Sequence, residues 1–391
     1  MPARRAFDVA VIGVGGIGSG AVYWAAKRAG AGVLGLERFE LGHERGASQD
    51  HSRIIRLSYH TPDYVRFAQD AYTAWSEIES DSGGQLVIRT GGLDLYPESA
   101  HDWTDAYSSS LDALGIGYEW LDAAETMRRY PQWRLTDDVR VMYQEATGIA
   151  AAARANAAHR RVATELGATI VGNQQVTSVT DVGGEYEIVT ATGDTWRAER
   201  VIVTADAWTN EILASFDAHI NLTVTQEQVA YYASENQSSV QPERFPVWIW
   251  MGTPSFYGLP AFGEAGAKIG WDAGGREVTG DTRTFEPDPA YTAALDGFMQ
   301  RHLPEAFGPH IAVKTCLYTM TPDRDFVIDR IPGQERAVVG QGAAHAFKFA
   351  GVVGRSLVEL VFDGTTVSDI SPWTIHREVL TMADPPRSWF V

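Results

Sequence analysis

The sequence has a single cysteine, Cys316, among its 391 residues. A disulfide within the chain is therefore excluded. Such a low cysteine content is typical of proteins from reducing compartments. The first apolar segment begins too close to the N-terminus to leave room for a secretory signal, and no uninterrupted apolar stretch is long enough to cross a bilayer. These absences predict a cytoplasmic protein without a membrane span.

Positive charge is also scarce. Against 50 Asp and Glu residues there are 32 Lys and Arg residues, which gives a formal net charge of −18. Such a surface repels phosphate backbones and anionic lipid head groups, so we expect no nucleic-acid partner and no docking on membranes. The sequence has no cluster of Cys and His at metal-ligand spacing and no convincing Ser-His-Asp order, and we assign no metal site and no hydrolytic role.

What the sequence does contain is a dinucleotide-binding pattern near its start. A short apolar strand, Val9–Ile12, leads into G-x-G-x-x-G, a helical run follows, and a second strand, residues 33–36, ends on Glu37. The glycines of the pattern are Gly13, Gly15 and Gly18. In such a βαβ unit the glycines allow a tight turn, the close approach of a pyrophosphate and the packing of helix on strand, while the acid binds a ribose. The unit by itself fits FAD and NAD alike.

The order of the remaining elements predicts two domains. Buried strands and an Ala-rich helix predicted over residues 149–166 return the chain to the nucleotide-binding domain, and residues 368–391 read as a turn-rich surface strap. We predict a nucleotide-binding domain and a sheet-rich second domain, the first from residues 1–85, 143–217 and 311–391 and the second from residues 86–142 and 218–310. A C-terminal segment that returns to the nucleotide is more usual in FAD proteins than in NAD dehydrogenases.

Beyond the glycine pattern, four segments carry a family resemblance over nearly the full length of the chain. They are SRIIR at 52–56, KIGW at 268–271, KTCLYTMTPDRDFVID at 314–329 and HAFKF at 345–349. With these segments the sequence resembles the monomeric sarcosine oxidase and N-methyltryptophan oxidase family, flavoenzymes of the D-amino-acid-oxidase-like fold. The resemblance implies an α/β and α+β fold, with a Rossmann-like FAD-binding domain of the glutathione-reductase-like type and a sheet-rich substrate domain.

Cys316 follows Lys314 and Thr315 in the most specific of these segments. A lone strand cysteine is most often a small buried hydrophobe. The resemblance instead implies that Cys316 is the attachment site of a covalently bound FAD, and this chemistry requires a lowered thiol pKa and nearby positive charge. The predicted cofactor contacts are Gly13, Gly15, Gly18, Glu37, Ser52, Arg53, Val176, Cys316 and Lys348.

Three basic residues are candidates for the substrate and flavin sites. Arg53 and Arg56 lie beside isoleucines, and Lys348 lies between two phenylalanines. Taken alone they fit a solvated pair and a surface lysine. The resemblance implies that Arg56 and Lys348 bind the substrate carboxylate and that Arg53 lies close to the flavin ring.

Further candidates for the reaction site come from the same resemblance. A lysine in a strand usually faces water, but the resemblance implies that Lys268 reaches a water on flavin N5 and promotes the reaction with O2. Tyr257 and Tyr318 match tyrosines of the family's pocket, although either fits the core. His345 fits a packing histidine and a polar pocket group equally well. The predicted catalytic residues are Lys268, Arg53, Tyr318, Asp272 and His345, and the predicted substrate-binding residues are Arg56, Lys348 and Tyr257.

Three positions depart from the family pattern. Asp272 stands where the family often has His, Ala344-His345-Ala346 replaces Gly-His-Gly, and Asp206 replaces Gly. Asp272 is either a turn cap or a pocket acid, as in the related fructosyl-amine oxidases, and as a pocket acid it speaks against plain sarcosine as the substrate. Alanine resists a positive φ, so we expect the loop with the two alanines to differ from that of the family.

These residues predict an FAD-dependent amine oxidase. It oxidises the N–CH bond of a secondary (N-methyl or N-substituted) amino acid to an imine and reduces O2 to H2O2, so its partners are a small amino acid and O2, and we expect a monomer. The alternatives are a fructosyl-amino-acid oxidase, a D-amino-acid or cyclic imino-acid oxidase of the pipecolate or proline type, a flavin dehydrogenase with another electron acceptor, and a non-catalytic nucleotide-binding sensor. An aromatic cluster of Trp248, Trp250 and Phe256 indicates either a bulky substrate or simply core.

Overall fold

The computed structural model describes residues 6–388 of the chain. The first five residues of the predicted domain segment 1–85 and the last three of the predicted strap 368–391 lie outside the described residues. Within this range the helices are α1 (Gly16–Ala29), α2 (Pro62–Ser82), α3 (Thr104–Asp112), α4 (Ala123–Arg129), α5 (Ala152–Glu165), α6 (Thr209–Leu213), α7 (Pro289–His302) and α8 (Ala350–Asp363). The strands are β1 (Val9–Ile12), β2 (Val33–Leu36), β3 (Arg53–Ile55), β4 (Val87–Arg89), β5 (Gly92–Tyr96), β6 (Glu119–Leu121), β7 (Arg140–Gln144), β8 (Gly148–Ala150), β9 (Thr169–Val171), β10 (Val176–Asp181), β11 (Tyr186–Thr190), β12 (Thr195–Ala198), β13 (Val201–Val203), β14 (Thr223–Tyr232), β15 (Val247–Trp250), β16 (Phe256–Leu259), β17 (Ala267–Trp271), β18 (Arg276–Val278), β19 (His310–Met320), β20 (Val327–Arg330) and β21 (Ala337–Gln341). In this part of the chain no helix is both long and apolar enough to cross a membrane.

A six-stranded sheet contains the βαβ unit predicted from the glycine pattern. Its order is β20-β21-β13-β1-β2-β9, and every neighbouring pair is parallel except β20 and β21. Helices α1, α5 and α8 pack on one face, and the antiparallel meander β10-β11-β12 packs on the other. Because both faces are covered, its strands are continuous apolar runs, such as VAVI in β1 and VLGL in β2.

Helices α1 and α8 approach each other closely because glycines lie at their crossing. A Cβ on Gly20 would lie 2.6 Å from the carbonyl oxygen of Ala350, and a Cβ on Gly354 would lie 2.5 Å from the nitrogen of Ala21. The apolar face of α8 therefore packs on α1 as well as on the sheet. Gly364 ends α8 in the left-handed conformation, with φ 77, which confirms the cap predicted from the sequence.

The second layer is a nine-stranded sheet. Its order is β18-β14-β17-β16-β15-β5-β7-β6, with β19 added beside β14, and α7 packs into its core. The predicted boundary at residue 311 assigned β19 to the nucleotide-binding domain, but its backbone pairs with β14 along the whole of that strand. Cys316 is therefore carried by the sheet of the second layer, and the rest of the predicted division into domains stays a prediction.

A small sheet, β3-β8-β4, corrects one predicted helix. The sequence predicts a helix over residues 149–166, but the chain forms β8 and only then α5. β8 is the central strand of this sheet, and a Cβ on Gly148 would overlap the carbonyl oxygen of Ile88 in β4. Strand pairing thus overrides the helix propensity of the alanines, and the same pairing positions Arg53 at the start of β3.

The C-terminal segment predicted as a surface strap is anchored beside β20. Trp373 is buried, and its ring centroid lies 4.4 Å from that of Phe67 and 5.4 Å from that of Phe326. The hydroxyl of Thr374 donates a 2.6 Å hydrogen bond to Asp329 Oδ2. Buried aromatic packing and hydrogen bonds to the neighbouring strand therefore both hold the strap against the core.

Candidate active site

A cleft lies between the C-terminal ends of the parallel strands and the nine-stranded sheet, the usual ligand position in open α/β sheets. Most of the predicted site residues line it, namely Gly13, Gly15, Glu37, Arg53, Arg56, Val176, Tyr257, Asp272, Cys316, Tyr318, His345 and Lys348. Three predicted residues are not among those lining it, namely Gly18, Ser52 and Lys268. The chain thus brings the predicted residues together, and their individual roles stay predictions.

The glycine-rich turn leaves the N-terminus of α1 open. Gly13 has φ 89, and a Cβ there would lie 2.5 Å from the carbonyl oxygen of Thr204. A Cβ on Gly18 would overlap the carbonyl of Gly13, so Gly18 serves the packing of helix on strand. Gly15 is the N-cap of α1, and no side chain caps the helix. Free N–H groups and the positive end of the helix dipole are therefore available to a pyrophosphate.

Glu37 closes the other side of this turn. Its carboxylate accepts hydrogen bonds from Val14 N at 2.8 Å and Phe39 N at 3.1 Å, and His43 Nε2 lies 3.1 Å away. Burial raises the pKa of Glu37, but the bonds from His43 and the backbone outweigh it and hold the pKa below its ordinary value. A carboxylate has about four lone-pair sites, so the ionised Glu37 keeps one acceptor site for a ribose hydroxyl.

Arg53 holds the loop that precedes β3. Its guanidinium donates to the carbonyl oxygens of Ala47 and Ser52 at 2.8 Å and of Gln49 at 2.7 Å. Its Nη1 also lies 3.8 Å from Asp50 Oδ2. The guanidinium is therefore engaged with buried backbone, and the alternative of a solvated basic pair does not apply to it.

Cys316 faces the cleft from β19 and is half-buried. Burial raises the pKa of its thiol to about 11, and the neighbouring cations Arg53 and Lys268 offset that shift only in part. The lowered thiol pKa that the covalent link requires is therefore not found in this structure, because the desolvation of the thiolate outweighs the attraction of the two cations.

Arg56 and Lys348 both line the cleft and lie around the ring of Tyr59. The Arg56 guanidinium lies 4.7 Å from the ring centroid and Lys348 Nζ lies 5.8 Å from it. Arg56 Nη1 lies 3.4 Å from Asp94 Oδ1, and Lys348 Nζ donates to the carbonyl oxygen of His345 at 2.9 Å. Two nitrogen donors thus converge on one part of the cleft, as a carboxylate site requires.

The pKa values of Arg56 and Lys348 are shifted in opposite directions. The reason is Asp94, which the sequence analysis missed. Burial lowers the pKa of Arg56, but Asp94 and Tyr59 raise it above its usual value, so Arg56 stays charged. Burial and the charge of Arg56 lower the pKa of Lys348 well below its usual value. The only sequence signal for Asp94 was an acid inside the apolar strand GLDLY of β5.

Lys268 does not face water, although it is a strand lysine. Its side chain on β17 is 2% exposed, and Nζ lies 2.5 Å from Asp50 Oδ2 and 3.1 Å from the carbonyl oxygen of Ser52. It therefore lies directly behind the loop that Arg53 holds. Asp50 was also missed, since nothing in its surroundings in the sequence distinguishes it from a surface loop acid.

Asp272 is a pocket acid rather than a turn cap. Its carboxylate pairs with Arg324, a residue in the left-handed conformation (φ 57) in the loop after β19. His345 Nε2 lies 2.9 Å from the carbonyl oxygen of Arg324. Burial, Lys348 and Arg324 hold the pKa of His345 well below its usual value, so the neutral ring can donate to that carbonyl. His345 therefore both lines the pocket and contacts the backbone of Arg324 in its wall. Arg324 was missed by the sequence analysis.

Tyr257 and Tyr318 line the cleft with their hydroxyl oxygens 3.5 Å apart. Burial raises the pKa of both phenols above the usual value. Both hydroxyls are therefore neutral near pH 7 and can donate or accept hydrogen bonds toward a ligand.

The aromatic cluster noted in the sequence belongs to the core. The rings of Trp248, Trp250 and Phe256 lie with their centroids 5.4, 5.5 and 4.6 Å from that of Phe298 on α7. Trp248 and Phe256 are buried there. These side chains stabilise the packing of α7 on the sheet and give no measure of substrate size.

Two of the departures from the family pattern, Asp206 and Ala344, adopt glycine-like backbone conformations, and so does the neighbouring Ala343. Asp206 has φ 48, and Ala343 and Ala344 have φ 46 and φ 72. A left-handed non-glycine residue costs roughly 1–2 kcal/mol. The loop before α8 therefore reaches the left-handed region despite its alanines. Burial also raises the pKa of Asp206, which lines the cleft, to about 6.

The cleft as a whole fits FAD. The open N-terminus of α1 and Glu37 suit a pyrophosphate and a ribose at one end, and Cys316 and Arg53 lie along the same continuous lining. Ser52 Oγ, behind the loop, is buried and has no hydrogen-bond partner within residues 6–388. In the same range no group of three or more His, Cys, Asp or Glu side chains could hold a metal ion.

Similar proteins place these features in a family. Residues 8–360 match the family described as FAD dependent oxidoreductase. The monomeric sarcosine oxidase of Bacillus sp. (strain NS-129) is 28% identical over 96% of this chain and 97% of its own length, and that of Streptomyces avermitilis is 32% identical over 95% and 97%. The solved structure of NikD, an unusual amino acid oxidase essential for nikkomycin biosynthesis, has a TM-score of 0.84 at 26% identity and covers 95% of this chain and 98% of its own.

These matches confirm three predictions from the sequence. The family resemblance, the α/β and α+β fold with a sheet-rich second layer, and FAD as the cofactor of an oxidoreductase all agree with them. The matches do not test a covalent link to the cofactor, a cytoplasmic location or the roles of individual residues. The chain belongs to the family of FAD-dependent oxidoreductases.

Proposed function

We propose that this enzyme oxidises the N–CH bond of a secondary amino acid to an imine and passes the electrons to O2, giving H2O2. The observation that carries the proposal is the convergence of Arg56 and Lys348 on a cleft that also contains Cys316 and the glycine-rich turn. An anion-binding pair beside a flavin site is what an amino-acid oxidase needs to orient its substrate. The sarcosine oxidase names of the relatives support the same substrate class.

The cofactor would be held from both ends of the cleft. Gly13, Gly15 and the open end of α1 would hold the pyrophosphate, Glu37 a ribose, and Cys316 the flavin, as a thioether. The chemistry that bound FAD supplies is acceptance of a hydride equivalent and delivery of the electrons to O2. All other contributions fall to the side chains of the cleft.

The carboxylate of the substrate would bind between Arg56 and Lys348. Arg56 offers a permanent charge held in place by Asp94. Lys348 has a lowered pKa, and an incoming carboxylate favours its protonated form. Binding would therefore be coupled to proton uptake at Lys348 Nζ wherever that amine is neutral in the free enzyme.

The amine of the substrate must be neutral before it can be oxidised. Arg53, Arg56 and Lys348 all line the cleft, and nearby positive charge lowers the pKa of a bound ammonium group. The neutral hydroxyls of Tyr257 and Tyr318 can accept its N–H or donate to its lone pair. Water then hydrolyses the imine product to a carbonyl compound and a smaller amine.

A second candidate is oxidation of a fructosyl-type amino acid. Asp272 favours it, because this carboxylate lines the substrate end of the cleft and its side chain is 25% exposed. An ionised carboxylate there can accept hydrogen bonds from the hydroxyl groups of a polar nitrogen substituent. A cyclic imino acid of the proline or pipecolate type has no such donors and would leave Asp272 unused.

The test is anaerobic mixing of the oxidised holoenzyme with a panel of substrates. The panel contains sarcosine, N-methyl-tryptophan, pipecolate, proline, fructosyl-glycine and D-amino acids, and the readout is the bleaching of the oxidised-flavin band. Fast bleaching by a secondary amino acid, followed by recovery of colour with O2, supports the proposal. Fastest bleaching by fructosyl-glycine selects the second candidate, and no bleaching with any amine contradicts both. Bleaching without recovery in O2 would identify a dehydrogenase.

We propose in addition that the enzyme is a cytoplasmic monomer. The relatives named as monomeric sarcosine oxidases cover nearly the whole chain, which supports the oligomeric state. The single cysteine supports a reducing location. Light scattering on the purified holoenzyme should give the mass of one chain, 42.8 kDa, and a doubled mass would contradict this.

A further inference from the structure

A buried ion pair lies directly behind the flavin end of the cleft. Lys268 Nζ, on a side chain that is 2% exposed, lies 2.5 Å from Asp50 Oδ2, on a side chain that is 12% exposed. A second bond from the same ammonium goes to the carbonyl oxygen of Ser52 at 3.1 Å. The pair joins β17 of the nine-stranded sheet to the loop before β3, the two walls that flank the cleft.

Asp50 is fixed by more than Lys268. The hydroxyl of Tyr231 donates to both of its oxygens, at 2.9 and 2.8 Å, and its own carbonyl accepts a 3.0 Å hydrogen bond from Ala153 N at the start of α5. Its backbone has φ 104, a strained conformation for a non-glycine residue. The loop keeps this strained position because the surrounding contacts determine where the carboxylate lies.

The other charged groups around the pair are mostly positive. Arg53 Nη1 lies 3.8 Å from Asp50 Oδ2, and Lys314 Nζ lies 3.5 Å from Oδ1. Lys314 is also bonded to Glu264 at 2.8 Å, and Glu264 lies 3.3 Å from His51. The remaining titratable neighbours are Tyr231, which donates to Asp50, and Cys316 on β19. Asp50 is therefore the carboxylate on which Lys268, Lys314 and Arg53 converge.

This arrangement decides the charge of Lys268. Burial and the positive charge of Arg53 lower the pKa of Lys268, and Asp50 opposes both effects. Asp50 itself stays ionised, because Lys268 and Arg53 outweigh the effect of burial and hold its pKa well below the usual value. Without the carboxylate, an ammonium group that is buried beside a guanidinium would release its proton. A neutral amine cannot stabilise the negative charge that develops when O2 takes an electron.

We propose that Asp50 is a positioning residue that keeps Lys268 protonated and fixes its ammonium group behind the loop that lines the cleft, and thereby sets the rate at which O2 accepts the electrons. This inference rests on the proposed oxidase function and on the predicted role of Lys268 in it. It adds the carboxylate partner without which a lysine in this position carries no charge. Asp50 acts through Lys268 and makes no contact with the substrate end of the cleft around Arg56.

The test separates the two halves of the reaction. Holoenzyme is reduced anaerobically with substrate and mixed with O2 in a stopped-flow instrument over a range of pH, while flavin reduction is measured separately. Asp50→Asn removes the charge, and Asp50→Gly removes the carboxylate while suiting the positive φ, so that one variant folds if strain disables the other. We expect flavin reoxidation to slow at least about tenfold at about pH 8 and to recover toward the wild-type rate as the pH is lowered, because acid returns the proton to the lysine.

Two further variants make the result specific. Asp50→Glu keeps the charge and should retain most of the reoxidation rate. Glu264→Gln removes the outer carboxylate on Lys314, which does not contact Lys268, and should leave the pH profile unchanged. A wild-type rate in Asp50→Asn or Asp50→Gly at about pH 8, or a slow rate that is the same at every pH, would overturn the inference.

Lys268→Met distinguishes this inference from the function on which it rests. If the methionine variant loses reoxidation at all pH values while the Asp50 variants keep it, Lys268 has its proposed role and Asp50 does not. If the methionine variant is reoxidised as fast as the wild type, the proposed role of Lys268 fails, and the inference about Asp50 fails with it. A loss in both, rescued by acid only in the Asp50 variants, supports the inference.

Discussion

Arg324 and Asp272 form a two-point ion pair in the wall of the cleft. Arg324 Nη1 lies 2.9 Å from Asp272 Oδ2, and Nη2 lies 3.3 Å from Oδ1. The arginine side chain is 2% exposed and the aspartate side chain 25%. The cation is therefore the buried partner and the anion the one that reaches the cleft. Arg324 supplies a counter-charge to Asp272 beside the proposed carboxylate-binding site, where an isolated acid would be costly.

The first prediction concerns the stability that this pair contributes. Asp272→Asn leaves the buried Arg324 without its counter-charge, and we expect the free energy of unfolding to fall by about 2 kcal/mol, less than for a fully buried pair because Asp272 is partly exposed. The measurement is urea unfolding of the holoenzymes followed by circular dichroism. Glu165→Gln on α5, whose partner Arg161 is 50% exposed, is the control and should change the value by less than about 0.5 kcal/mol. Equal effects of the two substitutions would contradict the prediction.

The second prediction concerns the link between Cys316 and the flavin. If the link forms, acid-precipitated wild-type protein is yellow, and acid-precipitated Cys316→Ala is colourless with the colour in the supernatant. The thiolate is the attacking form, and burial raises the pKa of this thiol to about 11. Covalent incorporation of FAD into the apoprotein should therefore become about tenfold faster with each unit by which the pH is raised, as long as the pH stays below that pKa. A colourless wild-type pellet would exclude the link, and incorporation at a rate independent of pH would exclude control by the thiol.

The third prediction concerns recognition of the substrate carboxylate. Arg56→Lys removes the planar donor pair, and we expect KM to rise about 10- to 100-fold for the amino acid that proves to be the best substrate. An analogue of that substrate without the carboxylate should react equally with both enzymes. Arg66→Lys, at an exposed position on α2, is the matched control and should leave KM unchanged. If KM for the two substrates rises by the same factor, Arg56 does not bind the carboxylate.

The fourth prediction follows from Glu227, a buried acid on β14 opposite Cys316. It accepts hydrogen bonds from Thr225 at 2.5 Å and Tyr291 at 3.1 Å, and burial raises its pKa from 4.5 to about 7. Because the native state binds this proton more tightly than the unfolded state does, stability falls as the pH rises from about 4.5 to 7, and the loss of about 3 kcal/mol is complete above pH 7.

Glu227→Gln cannot lose a proton at this position. The variant should therefore be more stable than the wild type at about pH 8, and the difference should vanish near pH 4. Urea unfolding of the holoenzymes at several pH values measures it. If the stability of the variant falls with pH as steeply as that of the wild type between these limits, Glu227 does not carry the effect.

Several parts of the site were predicted from the sequence because they are local in the chain. Gly13, Gly15 and Glu37 belong to one βαβ unit in which the spacing itself encodes the turn, the helix start and the strand end. Apolar runs located the buried parallel strands, since a strand covered on both faces has no polar side. The helix predicted over residues 149–166 was partly wrong because its first residues pair with two other strands, and such pairing overrides local propensity.

By itself, the sequence determined the nucleotide-binding unit, the family and many of the residues that line the cleft, because contiguous motifs carry them. Only the tertiary structure decided how the charges are paired. Asp50 meets Lys268 across 218 positions, Asp272 meets Arg324 across 52, and Arg56 meets Asp94 across 38. It also placed Cys316 on the second sheet and raised the pKa of its thiol. Pairing and desolvation depend on distance and on the exclusion of water, and neither is written in the local order of residues.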